Sequence, residues 1–229
     1  MRKVDRLVSA CILLAALLVG CGQTTEISGD VQKPTLSVSK EGQVTAYMVG
    51  EFDRSYYSLE ELKDMAVAEA AGFGGSLGEV APVRVESVKA ADDGSDRVVV
   101  TYIFDSPESY EGFLRTVLRN DELLFYGTVA EAMAQGYVGN VTLQSVKDDS
   151  LMTGGALAQK QEAHLIIYRP DPTESSEDSE EKKITHVAIY CPERVEYVSP
   201  GAVINEDGSV DTIWIEGDVY EPVYILLRK

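Results

Sequence analysis

Two runs of alternating apolar and polar residues, Val83-Arg84-Val85-Glu86-Ser87-Val88 and Arg97 to Phe104, flank Asp92-Asp93-Gly94. Alternation with period two sends successive side chains to opposite faces of a strand. Asp-Gly between the runs supplies the positive φ that a tight reversal needs. This is the strongest hairpin signal in the chain, and it commits the fold to antiparallel sheet with one buried face. A chain of 229 residues that is 45% hydrophobic and 25% charged can bury a real core and reads as one domain, or a domain with a small satellite.

The remaining elements fit around that sheet. Thr35-Leu36-Ser37-Val38, the turn Lys40-Glu41-Gly42 and Gln43 to Val49 read as a first hairpin. Ser58-Leu59-Glu60-Glu61 is a capping box opening a helix through Leu62, Met65, Ala66 and Glu69 to about Ala71, where Gly72, Gly74, Gly75 and Gly78 are expected to break it. Ser106-Pro107 starts a second helix carrying Tyr110, Phe113, Leu114 and Val117, with Pro in the first turn. Leu123 to Tyr126 is either a buried strand or an extended lead-in. Thr128-Val129-Ala130-Glu131 is another capping box, opening a helix closed by Gly136. A strand at Val141 to Val146 and a short helix at Thr153 to Gln161 follow.

From His164 onward the chain turns to β, with strands expected at 164–168, 184–190, 194–198, 210–216 and 223–228 and a turn at Glu206-Asp207-Gly208. The fold class is therefore α+β: antiparallel sheets of hairpins, two to four short capped helices, and a β-rich C-terminal part. Residues 35–229 form a single α+β domain with a mobile acidic loop at 170–183, which has almost no apolar side chain to bury. Insertion between sheet strands and a domain boundary explain that loop equally well.

The N-terminus carries a different message. Met1-Arg2-Lys3 and Arg6 precede an uncharged apolar run, Leu7 to Leu18, too short for a permanent membrane helix but suited to a signal peptide over residues 1–20. The run ends Leu18-Val19-Gly20-Cys21, which resembles the lipobox of bacterial lipoproteins. The resemblance implies that the Cys21 thiol takes a diacylglyceryl group and that cleavage after Gly20 makes Cys21 the mature N-terminus. An ordinary secretory signal followed by a chance cysteine is the alternative, since Gly20 suits either peptidase. Each buried methylene contributes about 0.8 kcal/mol, and two acyl chains hold a protein stably where one does not. Nothing after Cys21 reads as a second membrane anchor. Residues 21–34 form the lipidated N-terminus and a polar, flexible tether, able to lift the domain by roughly 40 Å at about 3.3 Å per residue. The expected place is the cell membrane, lipid-anchored and facing the extracellular side.

A formal net charge of -18 repels nucleic acid and anionic headgroups and favours cations or basic partners; plain solubility is the other reading. Removing residues 1–20 takes away Arg2, Lys3 and Arg6 against Asp5 alone, so the mature chain is more acidic still. With Cys11 lost and Cys21 alkylated, Cys191 is the one thiol left, which excludes an intramolecular disulfide and a thiolate zinc site. His164-Leu165-Ile166-Ile167-Tyr168 echoes His186-Val187-Ala188-Ile189-Tyr190. Paired as an antiparallel hairpin, these strands put the two histidines at opposite ends of the ladder; parallel pairing would need a crossover the acidic segment looks too polar to make. His186 and Cys191 point to opposite faces of their strand. Asp92 to Asp96 and Asn205 to Asp211 look superficially like calcium loops but lack the required Gly and Glu positions. No hydrolase elbow, phosphate loop, dinucleotide fingerprint or zincin helix occurs, so no metal and no cofactor is expected.

Asp53, Tyr56, Tyr57, Tyr110 and Tyr126, with Tyr137, are candidates for a binding surface. Tyrosines near helix starts suit glycan or peptide, and acidic neighbours suit a basic ligand; the same rings also serve to cap a sheet edge. Phe52-Asp53-Arg54-Ser55-Tyr56-Tyr57, Leu124 to Ala132 and Tyr197-Val198-Ser199 resemble segments of surface lipoproteins from gut-dwelling Gram-positive anaerobes, a group with no assigned activity to transfer. That resemblance covers most of the mature chain and implies location and fold. The leading functional expectation is a non-enzymatic binding or envelope-associated module held by lipid on Cys21. The alternative is a hydrolase of cell-wall or dietary polymers using paired carboxylates such as Asp53 and Asp105, which requires a separation of roughly 5–9.5 Å. A solute-capturing transporter component ranks last, because two repeated α/β lobes are lacking.

Overall fold

A computed structural model describes residues 27, 31–54, 56–77, 82–171, 185–200, 202–206, 211–217 and 221–228. The signal segment, Cys21, most of the tether, residues 172–183 of the acidic loop and the Asp207-Gly208 turn lie outside them. The described residues form two antiparallel-rich sheets with four α-helices, an α+β and β-rich fold.

The first sheet contains β1 (Thr35–Val38), β2 (Val44–Glu51), β3 (Val83–Ala90), β4 (Arg97–Phe104), β9 (Thr185–Tyr190), β11 (Ala202–Glu206) and β12 (Asp211–Gly217). Their order across the sheet is β11-β12-β9-β1-β2-β4-β3. The second contains β5 (Leu123–Thr128), β6 (Thr142–Ser145), β7 (Leu151–Thr153), β8 (His164–Arg169), β10 (Val195–Val198) and β13 (Val223–Leu227), in the order β5-β8-β13-β10-β6-β7. Both expected N-terminal hairpins form in register, β1 on β2 and β3 on β4, the second turning through Gly94 at φ +76°. Glu86 is the extra residue of a bulge where the β3 register shifts between Val85 and Ser87.

Period-two alternation decides which side chains meet. Leu36, Ala46, Phe104, Ile189 and Ile213 from the first sheet pack against Ile166, Tyr168, Ile225 and Leu227 from the second. The intervening residues of the second sheet, Leu165, Ile167 and Leu226, face the other way and meet Phe125, Leu143 and Leu157 in a separate cluster. The unbroken apolar run of β8 is thereby explained: it is buried on both faces. Helices α3 (Val129–Ala134) and α4 (Gly154–Leu157) contribute Val129, Ala132 and Leu157 to that outer cluster. The Thr128 capping box closes reciprocally, Glu131 N–H donating to Thr128 Oγ1 at 3.2 Å and Thr128 N–H to Glu131 Oε2 at 2.7 Å.

Helix α1 (Leu59–Leu77) corrects the expected break near Ala71, because it continues through Gly72, Gly74 and Gly75. Each glycine costs a helix about 1 kcal/mol, but Ala66, Ala70 and Phe73 recur at helical spacing and are buried in the central core. Phe73 meets Phe113 edge-on at 5.6 Å. Gly112 permits that approach, since a Cβ there would stand 3.2 Å from Phe73 Cζ. Helix α2 (Pro107–Phe113) is capped by Ser106, whose Oγ accepts from Ser109 N–H at 3.2 Å. It continues as a π-helical turn over Leu114–Leu118 and ends at Arg119 in the left-handed region, φ 55°.

Two further corrections concern strands. The echoing segments β8 and β9 do not pair at all: β8 lies between β5 and β13 in the second sheet, and β9 between β1 and β12 in the first. Strands β7 and β11 add to those expected, and the helix expected over Thr153 to Gln161 contracts to α4. Strand β9 runs parallel to β1, with Thr35 opposite Ala188.

Candidate functional site

The short length of β1 creates the site. Its last partner on β2 is Tyr47, so Met48 to Glu51 run on past the end of β1. On the other side β9 begins at Thr185, before the Ala188 that pairs with Thr35. The first sheet is therefore notched between β2 and β9, with Pro34 at the notch end, its carbonyl accepting from Ala188 N–H at 3.0 Å.

A cleft of ≈ 180 Å³ occupies the notch. Its walls are apolar, built from Met48 and Val49 of β2, Val187 of β9, and Leu114 and Leu118 of the π-helical turn. Its polar lining residues are Thr35, Tyr47, Tyr110, Asn120 and Glu122. The Tyr110 hydroxyl donates to Glu122 Oε2 at 2.7 Å, and the Asn120 amide donates to Glu122 Oε1 at 3.3 Å. Asn120 also accepts from Glu122 N–H at 2.9 Å, an Asx turn that fixes the backbone entering β5. Tyr110 is buried at 3% exposure. Burial, reinforced by the Glu122 carboxylate, pushes its hydroxyl pKa well above the ordinary tyrosine value, so it remains a donor at neutral pH.

Among the described residues that line the cleft, Glu122 alone carries a charge. Nearby cations are turned to other partners: Arg115 Nε meets Asp121 Oδ1 at 3.1 Å, and Arg169 donates to the Asp121 carbonyl at 3.3 Å. Lys33 Nζ sits 3.7 Å over the Trp214 ring, which lies on the sheet face opposite the core. Glu111 carries a second carboxylate nearby on α2. It accepts from Leu124 N–H at 2.9 Å, and its pKa is raised, chiefly by burial.

Of the residues proposed for a binding surface, only Tyr110 reaches this cleft. Asp53, Tyr56 and Tyr57 follow the far end of β2 and form an exposed patch, with the Tyr57 ring tilted against Phe52 at 5.0 Å and edge-on to Tyr56 at 4.9 Å. Asp53 pairs with Arg54 at 3.5 Å on that surface. Tyr126 lies at the opposite end of β2, beside the β1–β2 turn: its hydroxyl donates to the Lys40 carbonyl at 3.4 Å and its ring is 5.4 Å from His164. His164 Nδ1 in turn lies 3.4 Å from Glu193 Oε2. Tyr137 borders a separate open groove of ≈ 390 Å³ with Asn140, Ser199, Glu221 and Tyr224. The tyrosines thus occupy four places rather than one concave face.

Asp53 and Asp105 are also apart. Phe52 bonds to Asp96 just before β4, whereas Asp105 follows Phe104 at the other end of that strand. Eight residues at about 3.3 Å each separate them by more than 20 Å, far beyond the reach of a carboxylate pair. His164 and His186 begin strands of different sheets. Among the described residues no group of three or more His, Cys, Asp or Glu side chains could hold a metal ion, and no helix is long and apolar enough to cross a membrane.

Asn120 and Glu122 escaped the reading of the sequence. The available signal was Asn-x-Glu directly after a helix, where an Asx turn aims the second side chain back along the helix; their convergence with β2 and β9 is visible only in three dimensions. No protein family, curated protein or solved structure matches the chain.

Proposed function

We propose that this protein is a lipid-anchored, extracytoplasmic binding module, exported by its N-terminal signal, acylated on Cys21, and using the notch cleft to hold a ligand outside the membrane. The cleft carries the binding half of this reading. An apolar slot with a carboxylate at its polar end is a recognition arrangement: shape fixes the ligand body, and the polar end fixes its orientation. Glu122 is held from both oxygens, by Tyr110 and Asn120, so the charge is positioned before any ligand arrives. The anchoring half is supported by Leu18-Val19-Gly20-Cys21 after a basic start and an uncharged apolar run.

The test of the anchor is metabolic labelling with an alkynyl palmitate in a bacterial host that lipidates its exported proteins. The intact chain is expected to take label and sediment with membranes. Cys21→Ser is expected to lose both properties and to appear in the medium. Equal labelling of the two chains, or retention of both in the cytosol, would refute the anchor.

A further inference from the structure

We infer that the exposed aromatic ladder of Phe52, Tyr57 and Tyr56 is a docking surface for an arginine-bearing segment of another polypeptide, stacked on the rings and paired with the carboxylates around them. None of these rings lines the notch cleft, so this surface is separate from the one proposed above to hold a ligand.

Three observations converge on it. Exposure is the first. Tyr56 is 73% exposed and Tyr57 45%, yet the rings are not scattered, since Tyr57 touches Phe52 on one side and Tyr56 on the other. Single exposed aromatics are ordinary, whereas a contiguous apolar patch rimmed by polar residues marks an interaction surface. Charge is the second. Phe52 N–H donates to the Asp96 carbonyl at 2.6 Å, which sets the start of the ladder beside the tip of the β3–β4 hairpin, with Asp92, Asp93 and Asp96. On the other side the chain runs from Tyr57 into the first turn of α1, with Glu60 and Glu61. Residues 52–61 and 92–97 hold these five carboxylates and that of Asp53, against Arg54 and Arg97 as the only basic side chains. Both arginines already meet carboxylates of the same segments, Arg54 with Asp53 at 3.5 Å and Arg97 with Asp93. A cationic partner is therefore attracted here, and phosphate headgroups and other anions are repelled. Ring chemistry is the third. A guanidinium is planar, always charged and stacks on an aromatic face, whereas the lysine ammonium is a compact, strongly hydrated charge. Tyrosine and arginine are also among the residues that dominate the energy of protein–protein contacts. A neutral glycan could stack on the same rings, but it would gain nothing from the surplus of carboxylates.

The discriminating experiment uses a short glycine peptide carrying two arginines, and the same peptide with lysine or with citrulline, an uncharged isostere of arginine, at both places. Each is titrated into the purified chain and followed by amide chemical shifts. The arginine peptide is expected to perturb the amides of Asp53, Tyr57 and Glu60 and to leave that of Glu122, in the cleft, unmoved. It is expected to outbind the citrulline peptide by about tenfold, the gain of a charge-assisted contact, and to bind more tightly than the lysine peptide. Tyr56→Ser changes no charge and alters only an exposed ring, so the chain keeps its fold; arginine-peptide binding is expected to weaken by about fivefold. Glu60→Gln, which keeps the ring ladder whole, is expected to weaken it as well. Binding that Tyr56→Ser leaves unchanged would reflect only the attraction of an acidic chain for any cation, and would overturn the docking surface. Equal binding of the lysine peptide would overturn guanidinium stacking. Cellohexaose, the citrulline peptide or phosphatidylglycerol vesicles binding at these amides as tightly as the arginine peptide would overturn the basic partner. None of these results bears on what the cleft holds.

Discussion

Replacing Asp211 with Ala tests how the two sheets are joined. Asp211 opens β12 of the first sheet and is 2% exposed. Its Oδ2 accepts from the buried backbone N–H of Val195, the first residue of β10 in the second sheet, at 2.6 Å. Its Oδ1 lies 3.5 Å from Arg194 Nη1, a distance that supplies ionic attraction without a hydrogen bond. A hydrogen bond to a charged group contributes about 1.5–3 kcal/mol, and truncating one partner also leaves the buried donor unsatisfied. Asp211→Ala is therefore expected to cost about 3 kcal/mol. For a domain of this size each kcal/mol moves Tm by about 2–4 °C, so a fall of about 6–12 °C is expected. Asp211→Asn keeps an acceptor oxygen and is expected to cost only about 1 kcal/mol. Urea unfolding with intact m-values, alongside calorimetry, separates a stability change from a change of state. An Asp211→Ala chain within about 0.5 kcal/mol of the parent would refute the view that this carboxylate ties the sheets together.

Two other outcomes follow from the electrostatics. Burial, helped by the neighbouring Asp211 charge, pushes the Cys191 thiol pKa up, so the native chain should resist a water-soluble disulfide reagent at mildly alkaline pH and react fully in urea; rapid native labelling would contradict that placement. The Glu131 carboxylate, held by the Thr128 N–H and hydroxyl, has its pKa lowered below 4.5. A depressed folded pKa contributes stability that is present above the unfolded value and is lost as pH falls through the folded one. The Tm gap between the parent and Glu131→Gln should therefore be open at neutral pH and narrow through and below the ordinary carboxylate range, and a gap independent of pH would count against the capping box as its cause.

Local chemistry was the legible part of this fold. The capping box at Thr128, the cap at Ser106 and the Asp-Gly turn before Arg97 all act over two to four residues, and a sequence shows both partners of each such interaction at once. Pairing is not local. The apolar runs of β8 and β9 mark each as a strand, yet nothing in two such similar runs says that one belongs beside β13 and the other beside β1. The glycines after Ala71 misled for a related reason. Propensity speaks for the isolated helix, whereas the burial of Phe73 against Phe113 belongs to the assembled core. The cleft was least legible of all. It arises from an absence in one strand, the early end of β1, filled from below by a helix turn and an Asx loop. Tyr110 was picked out for its position near a helix start, but its partner Glu122 offered only the local Asn-x-Glu turn, which does not say what lies across from it.

The parallel pairing of β1 with β9 makes completion of the chain a condition of the fold. Thr35 waits for Ala188, and β9 in turn needs β12 on its other side. Until the last part of the chain has been synthesised, the N-terminal hairpins present an unpaired strand edge at what will become the middle of a seven-stranded sheet. Such long-range pairing slows folding and leaves interrupted chains open to association through that edge. A product cut short after Asp171 would keep every N-terminal hairpin and both caps, and yet lack the strand that closes the first sheet. The topology thus distinguishes finished molecules from fragments.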